Sequence, residues 1–181
     1  SITYPKANDT ITELLMEAQE RDISIIASSG NYGPTGASIG SPAVWEQVLS
    51  VGATENFKDL ALFTSRGPSP SLTSGVDIVA PGQSIGSMDP ETLSKKYVTG
   101  TSASVPIVTG CYAILKQAFL DAERNTIEAC LLDTAIDLKE PIVGQGNGLV
   151  NPFDAFKLLE SSKSNEPFSV IPKRISEEND Y

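Results

Sequence analysis

Histidine is absent from all 181 residues. A serine, threonine or cysteine nucleophile in this chain therefore cannot pass its proton to an imidazole of the same chain, which excludes the usual general-base activation from within. Cysteine is nearly as scarce. Cys111 and Cys130 stand in no C-x-x-C or Cys/His pattern, so the ligand spacing of a zinc site is missing. The two thiols read as buried and free, with a disulfide as the alternative. No apolar run approaches the roughly 18 residues that a membrane-spanning helix needs, and the opening "SITYPKANDT" lacks the basic and apolar regions of a targeting peptide. Positive charge is also short, with 13 Lys and Arg against 23 Asp and Glu and a net charge of −10. Such a surface repels phosphates, which argues against nucleic acid and for a peptide or protein partner.

What is present is ordinary globular material, 40% hydrophobic and 20% charged, at a length that fits one domain with its own core. In "DTITELLMEAQERD", Ile11, Leu14, Leu15 and Ala18 recur at helical spacing, and Thr10 with Glu13 makes a capping box. Three short apolar runs, Ile23 to Ala27, Val48 to Ala53 and Val76 to Gly82, read as strands buried on both faces and are separated by Gly, Pro and Ser loops. The alternation of helix and buried strand predicts an α/β fold, a mainly parallel sheet with helices on both faces. "SVPIVTGCYAILKQAFLDA" predicts a central helix, apolar nearly all round, starting close to Ser102 because Pro106 is tolerable only within the first turn or so. Further helices are expected around "TIEACLLDTA" and "PFDAFKLLE", the latter with Pro152 at its first position. Residues 161–181 are polar, show no period and read as a tail or linker.

Ser102, at a helix N-terminus beside Gly100 and Thr101, reads as a nucleophile or as an N-cap. Asn31 follows a buried strand, where an open parallel sheet forms its ligand crevice. Its amide N–H suits a developing oxyanion, and an Asx-turn is the alternative role.

Four blocks, in order, carry a resemblance: "ASSGNYG", "SPAVWEQVLSVGAT", "FTSRGP…GVDIVAPG" and "GTSASVPIVTG", followed by a weaker "GNGLVNPFDA". Together they resemble the C-terminal part of the catalytic domain of a subtilisin-like serine protease, a subtilase, over residues 1–160. The resemblance implies that Ser102 is the nucleophile of an endopeptidase that works through an acyl-enzyme, with its own N–H and the Asn31 side chain as oxyanion hole. It assigns substrate contacts to Ser1, Ile2 and Thr3 on one wall, to Ala27, Ser28, Ser29 and Gly30 on the other, to Gly40 at the pocket base, and to Thr101. Ser28, Ser29 and Gly40 then suggest a roomy, neutral pocket. It implies a cis peptide at Ser41-Pro42. Asp77, assisted by Glu46, matches a weak structural cation site, with a solvated carboxylate as the alternative; no cofactor is required, and calcium is the ion in question.

Within the nucleophile block, Ala103-Ser104-Val105 and Ile107 depart from the family's commoner residues without removing a reacting group. The larger departure is the missing Asp and His, whose blocks the resemblance places before Ser1, so that the first residues match a strand from the middle of a unit. A companion N-terminal chain or upstream segment carrying Asp and His is the partner this implies, together with a peptide or protein substrate and a propeptide or inhibitor. Two alternatives stand beside it: a non-catalytic subtilase-like module that binds peptides, and a sedolisin-like enzyme, against which Asn31 speaks because an acid is expected at that position there. Most relatives of this kind act outside the cytoplasm, which sets the expected location.

Overall fold

The computed structural model describes residues 10–69 and 75–162. Its strands are β1 (Ile26–Ser28), β2 (Leu49–Glu55) and β4 (Ile78–Pro81), each with β-branched residues, and a two-residue β3 (Asp59–Leu60). β2 is the hub. It pairs in parallel with β1, Ile26 opposite Leu49, and with β4, Val51 opposite Ile78, while β3 runs antiparallel against its last residues. Single bridges add Leu149 beside Val79 and Ile136 beside Leu149.

The strand runs read as continuous apolar stretches because each side of the sheet is covered. Leu49, Val51, Ile78 and Ala80 face a core that includes Val108, Leu115, Phe119, Ile127 and Leu159, whereas Val48 and Val79 face another with Leu15, Ile39, Val44 and Trp45. Helix α1 (Thr10–Glu20) contributes Leu15 to the second core, and Trp45 Nε1–H donates to Thr12 Oγ1 at 3.0 Å to hold it there. The first core is covered by α2 (Thr101–Ala118), α3 (Arg124–Asp133) and α5 (Pro152–Ser162), with a single turn, α4 (Ile142–Gln145), between the last two. The mainly parallel sheet with helices on both faces is as expected.

Several details differ from the sequence reading. β1 starts at Ile26 rather than Ile23, because Asp22 turns at φ +58° and the Ile23 N–H closes α1 by donating to Ala18 O; Ile23 is exposed and the β1 residues are half-buried. The helical spacing in α1 is right, yet of its stripe only Leu15 is buried, and Ile11 and Leu14 face outward. α2 starts at Thr101, one residue from the expected start near Ser102, and Pro106 is its sixth residue. Lacking an N–H, Pro106 leaves the Ser102 carbonyl four residues earlier without its helical donor. Nor is α2 buried all round, since Ile114 is exposed whereas Val108 and Leu115 are buried.

The hairpin of β5 (Ile85–Met88) and β6 (Lys95–Val98) has no counterpart in the expected elements. Its strands are largely solvated, so no apolar period announces them. An Asx turn closes the tip, with Asp89 Oδ1 accepting from the N–H groups of Glu91 and Thr92. At the base, Gly100 N–H donates to Gly82 O at 2.8 Å and Ser84 N–H to Thr99 Oγ1 at 3.0 Å. α5 begins at Pro152 as expected but runs to Ser162, two residues into the expected tail; the rest of the tail lies outside the described residues. Both thiols are free, Cys130 buried and Cys111 half-buried, and the Ser41-Pro42 peptide is cis, as are Gly33-Pro34 and Gly67-Pro68.

Candidate active site

The C-terminal ends of the parallel strands converge on the N-terminus of α2. Ser29 N–H donates to Val51 O, extending the β1 ladder by one residue, and Gly30 then turns the chain at φ +112°. A Cβ at Gly30 would come within 2.8 Å of Ser65 Oγ, so only glycine fits the turn. The turn throws Asn31 out beside α2. There Asn31 Oδ1 accepts two hydrogen bonds, from Thr101 N–H at 2.9 Å and from Thr101 Oγ1–H at 2.9 Å.

That pair of bonds decides how the amide is turned, because an oxygen held from two sides leaves Nδ2 as the group presented away from Thr101. Gly100, at φ +146°, marks the place. A side chain there would have its Cβ 3.2 Å from Ser102 Oγ and 3.3 Å from Asn31 Nδ2, so the hydroxyl and the amide donor flank the same point and glycine keeps it open. α2 is anchored over the strands by Gly100 N–H on Gly82 O, by Gly82 N–H on Thr54 O and by Ser104 Oγ–H on Ala80 O at 3.1 Å.

Ser102 is not the N-cap. Gly100 occupies that position without a side-chain bond, and Asn31 caps the helix from across the chain. Ser102 is the second helical residue and its side chain is exposed. A residue there has no intrahelical acceptor for its N–H and sits at the positive end of the helix dipole, so hydroxyl, N–H donor and favourable field coincide. Asn31 likewise serves α2 rather than a local Asx turn.

The structure sorts the expected substrate contacts. Thr101 is buried and acts as a donor to Asn31, a role its assignment to substrate had not named. Ser28, Gly30 and Gly40 are half-buried beside the crevice, and Gly40 N–H donates to Ser29 O at 2.9 Å. Ser29 itself is a correction: its side chain is fully buried, its N–H is taken by Val51 and its carbonyl by Gly40, which leaves nothing of it to line a pocket or pair with a peptide. Ser1, Ile2 and Thr3 lie outside the described residues. Tyr32, exposed directly after Asn31, is a rim residue that the sequence reading passed over, although its place next to the oxyanion candidate was a signal.

Asp77 is neither a solvated carboxylate nor part of a cation cage. Its N–H donates to Ser50 O and its Oδ2 accepts from Ser50 N–H at 2.7 Å, adding a side-chain rung between β2 and the start of β4. Glu46 is exposed, and among the described residues no three acidic, Cys or His side chains gather as metal ligands would, so the residues present do not fit calcium at Asp77. Burial pushes the Asp77 carboxyl up to about 7, the Ser50 N–H opposes this, and nearby Glu128 adds to it. Glu128 is held by Ser24 Oγ–H at 2.6 Å and by Arg124 at 2.6 Å.

A carboxyl raised in the folded state binds its proton more tightly there than in the unfolded chain. Stability should be greatest near pH 4 and fall as pH rises towards about 7, by at most about 4 kcal/mol. Asp22, Asp89 and Asp137, whose carboxylates hydrogen bonds hold low, pull the other way only below about pH 4. Urea unfolding at pH 5 and pH 8 checks this: the loss at the higher pH should vanish in Asp77→Asn, which keeps an acceptor for Ser50.

Residues 1–153 match the model of the subtilase family. Subtilisin BL from Lederbergia lenta is 32% identical over 151 residues, covering 83% of this chain and 52% of that protein, and Bacillopeptidase F from Bacillus subtilis (strain 168) is 38% identical over 138 residues, 71% of this chain and 10% of its own. The chain thus spans about half the length of the subtilisin it matches. Among solved structures, the prenylagaramide maturation protease PagA superposes with a TM-score of 0.74 at 26% identity over 87% of this chain and 58% of that one. The PatG macrocyclase in complex with peptide gives 0.72 at 27% over 87% and 50%. Among the described residues no helix is long and apolar enough to cross a membrane. Motif order, sheet, helix N-terminus and family match agree, and this chain belongs to the subtilases.

Proposed function

We propose that this chain carries the nucleophile and oxyanion hole of a subtilisin-like serine endopeptidase whose base and its orienting acid come from an upstream segment or companion chain bearing His and Asp. The observation that carries this reading is the pair of hydrogen bonds that Thr101 donates to Asn31 Oδ1, which leaves Nδ2 facing the same point over Gly100 as Ser102 Oγ. In the proposed reaction Ser102 Oγ attacks the peptide carbonyl while the companion imidazole takes its proton. The oxyanion is met by Ser102 N–H and Asn31 Nδ2–H, the amine leaves with the imidazole's proton, and water then hydrolyses the acyl-enzyme.

An extended peptide would lie along Ser28 and Gly30, with Gly40 beneath its side chain. The solved relatives named as a maturation protease and as a macrocyclase in complex with peptide suit a peptide or protein substrate. The apolar residues that α1 and α2 expose, Ile11, Leu14 and Ile114, are surface that the companion segment would cover. A propeptide or inhibitor would use the same groove, and a location outside the cytoplasm belongs to the same reading.

The alternative is a peptide-binding module without turnover, favoured by the lack of any histidine in the chain. Fluorophosphonate labelling of the native protein, with peptide mapping of every chain present, separates the two. A covalent adduct on Ser102 in a sample that also contains the Asp- and His-bearing segment is the expected result. A folded sample that contains that segment and takes up no label would overturn the activated nucleophile and leave the binding module.

A further inference from the structure

Asn31 can serve an oxyanion only if its own backbone is fixed, and one residue holds both peptide groups that flank it. Ser65 N–H donates to the carbonyl of Gly30 at 2.9 Å, and Ser65 Oγ accepts from the N–H of Tyr32 at 3.2 Å. Ser65 is fully buried. It is itself tied to the hub of the sheet through its neighbour: Thr64 Oγ1 accepts from Ala53 N–H at 2.9 Å, and Ala61 N–H donates to Ala53 O at 3.0 Å, so β2 grips the 61–64 turn by both polar groups of one residue. A further bond, Gly33 N–H to Phe63 O at 2.9 Å, pins the far side of the Asn31 turn to the same segment.

From this arrangement we infer that Ser65 is a positioning residue for the oxyanion hole, acting through the backbone on either side of Asn31. The inference rests on the oxyanion role proposed above. Thr101 turns the Asn31 amide about its side-chain bonds, whereas Ser65 sets where the amide starts from. Gly30 is part of the same device: its positive φ and its missing Cβ, which would meet Ser65 Oγ, let the two segments of the chain close on each other. Such a clamp matters because an oxyanion donor works only when it is already aimed at the charge that develops, and displacements of about an ångström cost orders of magnitude in rate.

The test is a double-mutant cycle in the assembled protease, this chain with its Asp- and His-bearing segment, using a peptide substrate. Ser65→Ala removes the acceptor for Tyr32 N–H and keeps the backbone bond to Gly30. It should lower kcat about tenfold with KM unchanged, a partial loss of what one oxyanion donor supplies. In an Asn31→Ala background the same substitution should change kcat less than twofold, because the group being positioned is gone. Faster hydrogen exchange at the Tyr32 amide should accompany the loss. Equal tenfold effects in both backgrounds would mean that Ser65 merely supports the fold and would overturn the inference. So would a rise in KM at constant kcat, or a wild-type kcat in Ser65→Ala while Asn31→Ala alone is strongly impaired. A wild-type kcat in Asn31→Ala is a different failure: it overturns the oxyanion reading and this inference with it.

Discussion

Ser102→Ala should reduce kcat by about 10⁶-fold, the size of loss found when the nucleophilic hydroxyl is removed from a subtilisin. Ser102 is exposed and caps nothing, so the substitution should shift unfolding by no more than about 0.5 kcal/mol and leave KM for a peptide substrate near its original value. The comparison to make is kcat of wild type and variant in the assembled protease, with urea unfolding of both. A variant that loses activity only in proportion to a loss of folded protein would point to a structural serine. One that keeps kcat would sink the acyl-enzyme mechanism.

Asn31→Asp probes the other half of the site with almost no change in shape. One carboxylate oxygen still accepts from Thr101 N–H and Thr101 Oγ1–H, so the cap of α2 survives. The second oxygen replaces Nδ2, putting an acceptor where a donor faces the developing negative charge. Loss of one oxyanion donor costs about 10²–10³-fold in kcat, a magnitude measured in a subtilisin, and the repulsive carboxylate places the expectation at the upper end. Because the charge develops only on the way to the transition state, KM should stay unchanged. The measurement is kcat and KM of variant and wild type across pH: a deficit relative to wild type that narrows at low pH, as the carboxyl protonates and regains a donor, would identify charge rather than geometry as the cause. A kcat within threefold of wild type would remove Asn31 from the mechanism.

How far the sequence alone reaches depends on whether the deciding contact is local. β2 and β4 are legible because parallel strands covered on both faces run nearly continuously apolar, so Leu49, Val51, Ile78 and Val79 announce themselves. The β5–β6 hairpin escapes notice because its residues meet water on most sides. The helical spacing of Ile11, Leu14 and Leu15 fixes the type of α1, whereas which of them is covered depends on elements far along the chain. Asp77 shows the same limit: its environment is set by Ser50, 27 positions earlier, and no local pattern reveals that partner. Ser29 looks like a pocket residue until Gly40 and Val51 claim its backbone. Ser102 and Asn31 could be singled out because the blocks that hold them occur in a recognisable order. Thr101 as the hand on Asn31 could not, since the two are 70 positions apart and only the fold brings them together.

The stapled base of the β5–β6 hairpin has a consequence for how such a chain can diverge. The excursion leaves at Gly82 and returns at Gly100, and the bond between those two residues closes it just before Ser102. Whatever is inserted, deleted or exchanged beyond that closure, at the solvated tip around Asp89–Ser94, is mechanically isolated from the helix that bears Ser102. The tip is therefore a place where evolution or an engineer can lengthen the protein, or graft a foreign recognition loop, without disturbing the register of α2 on the sheet.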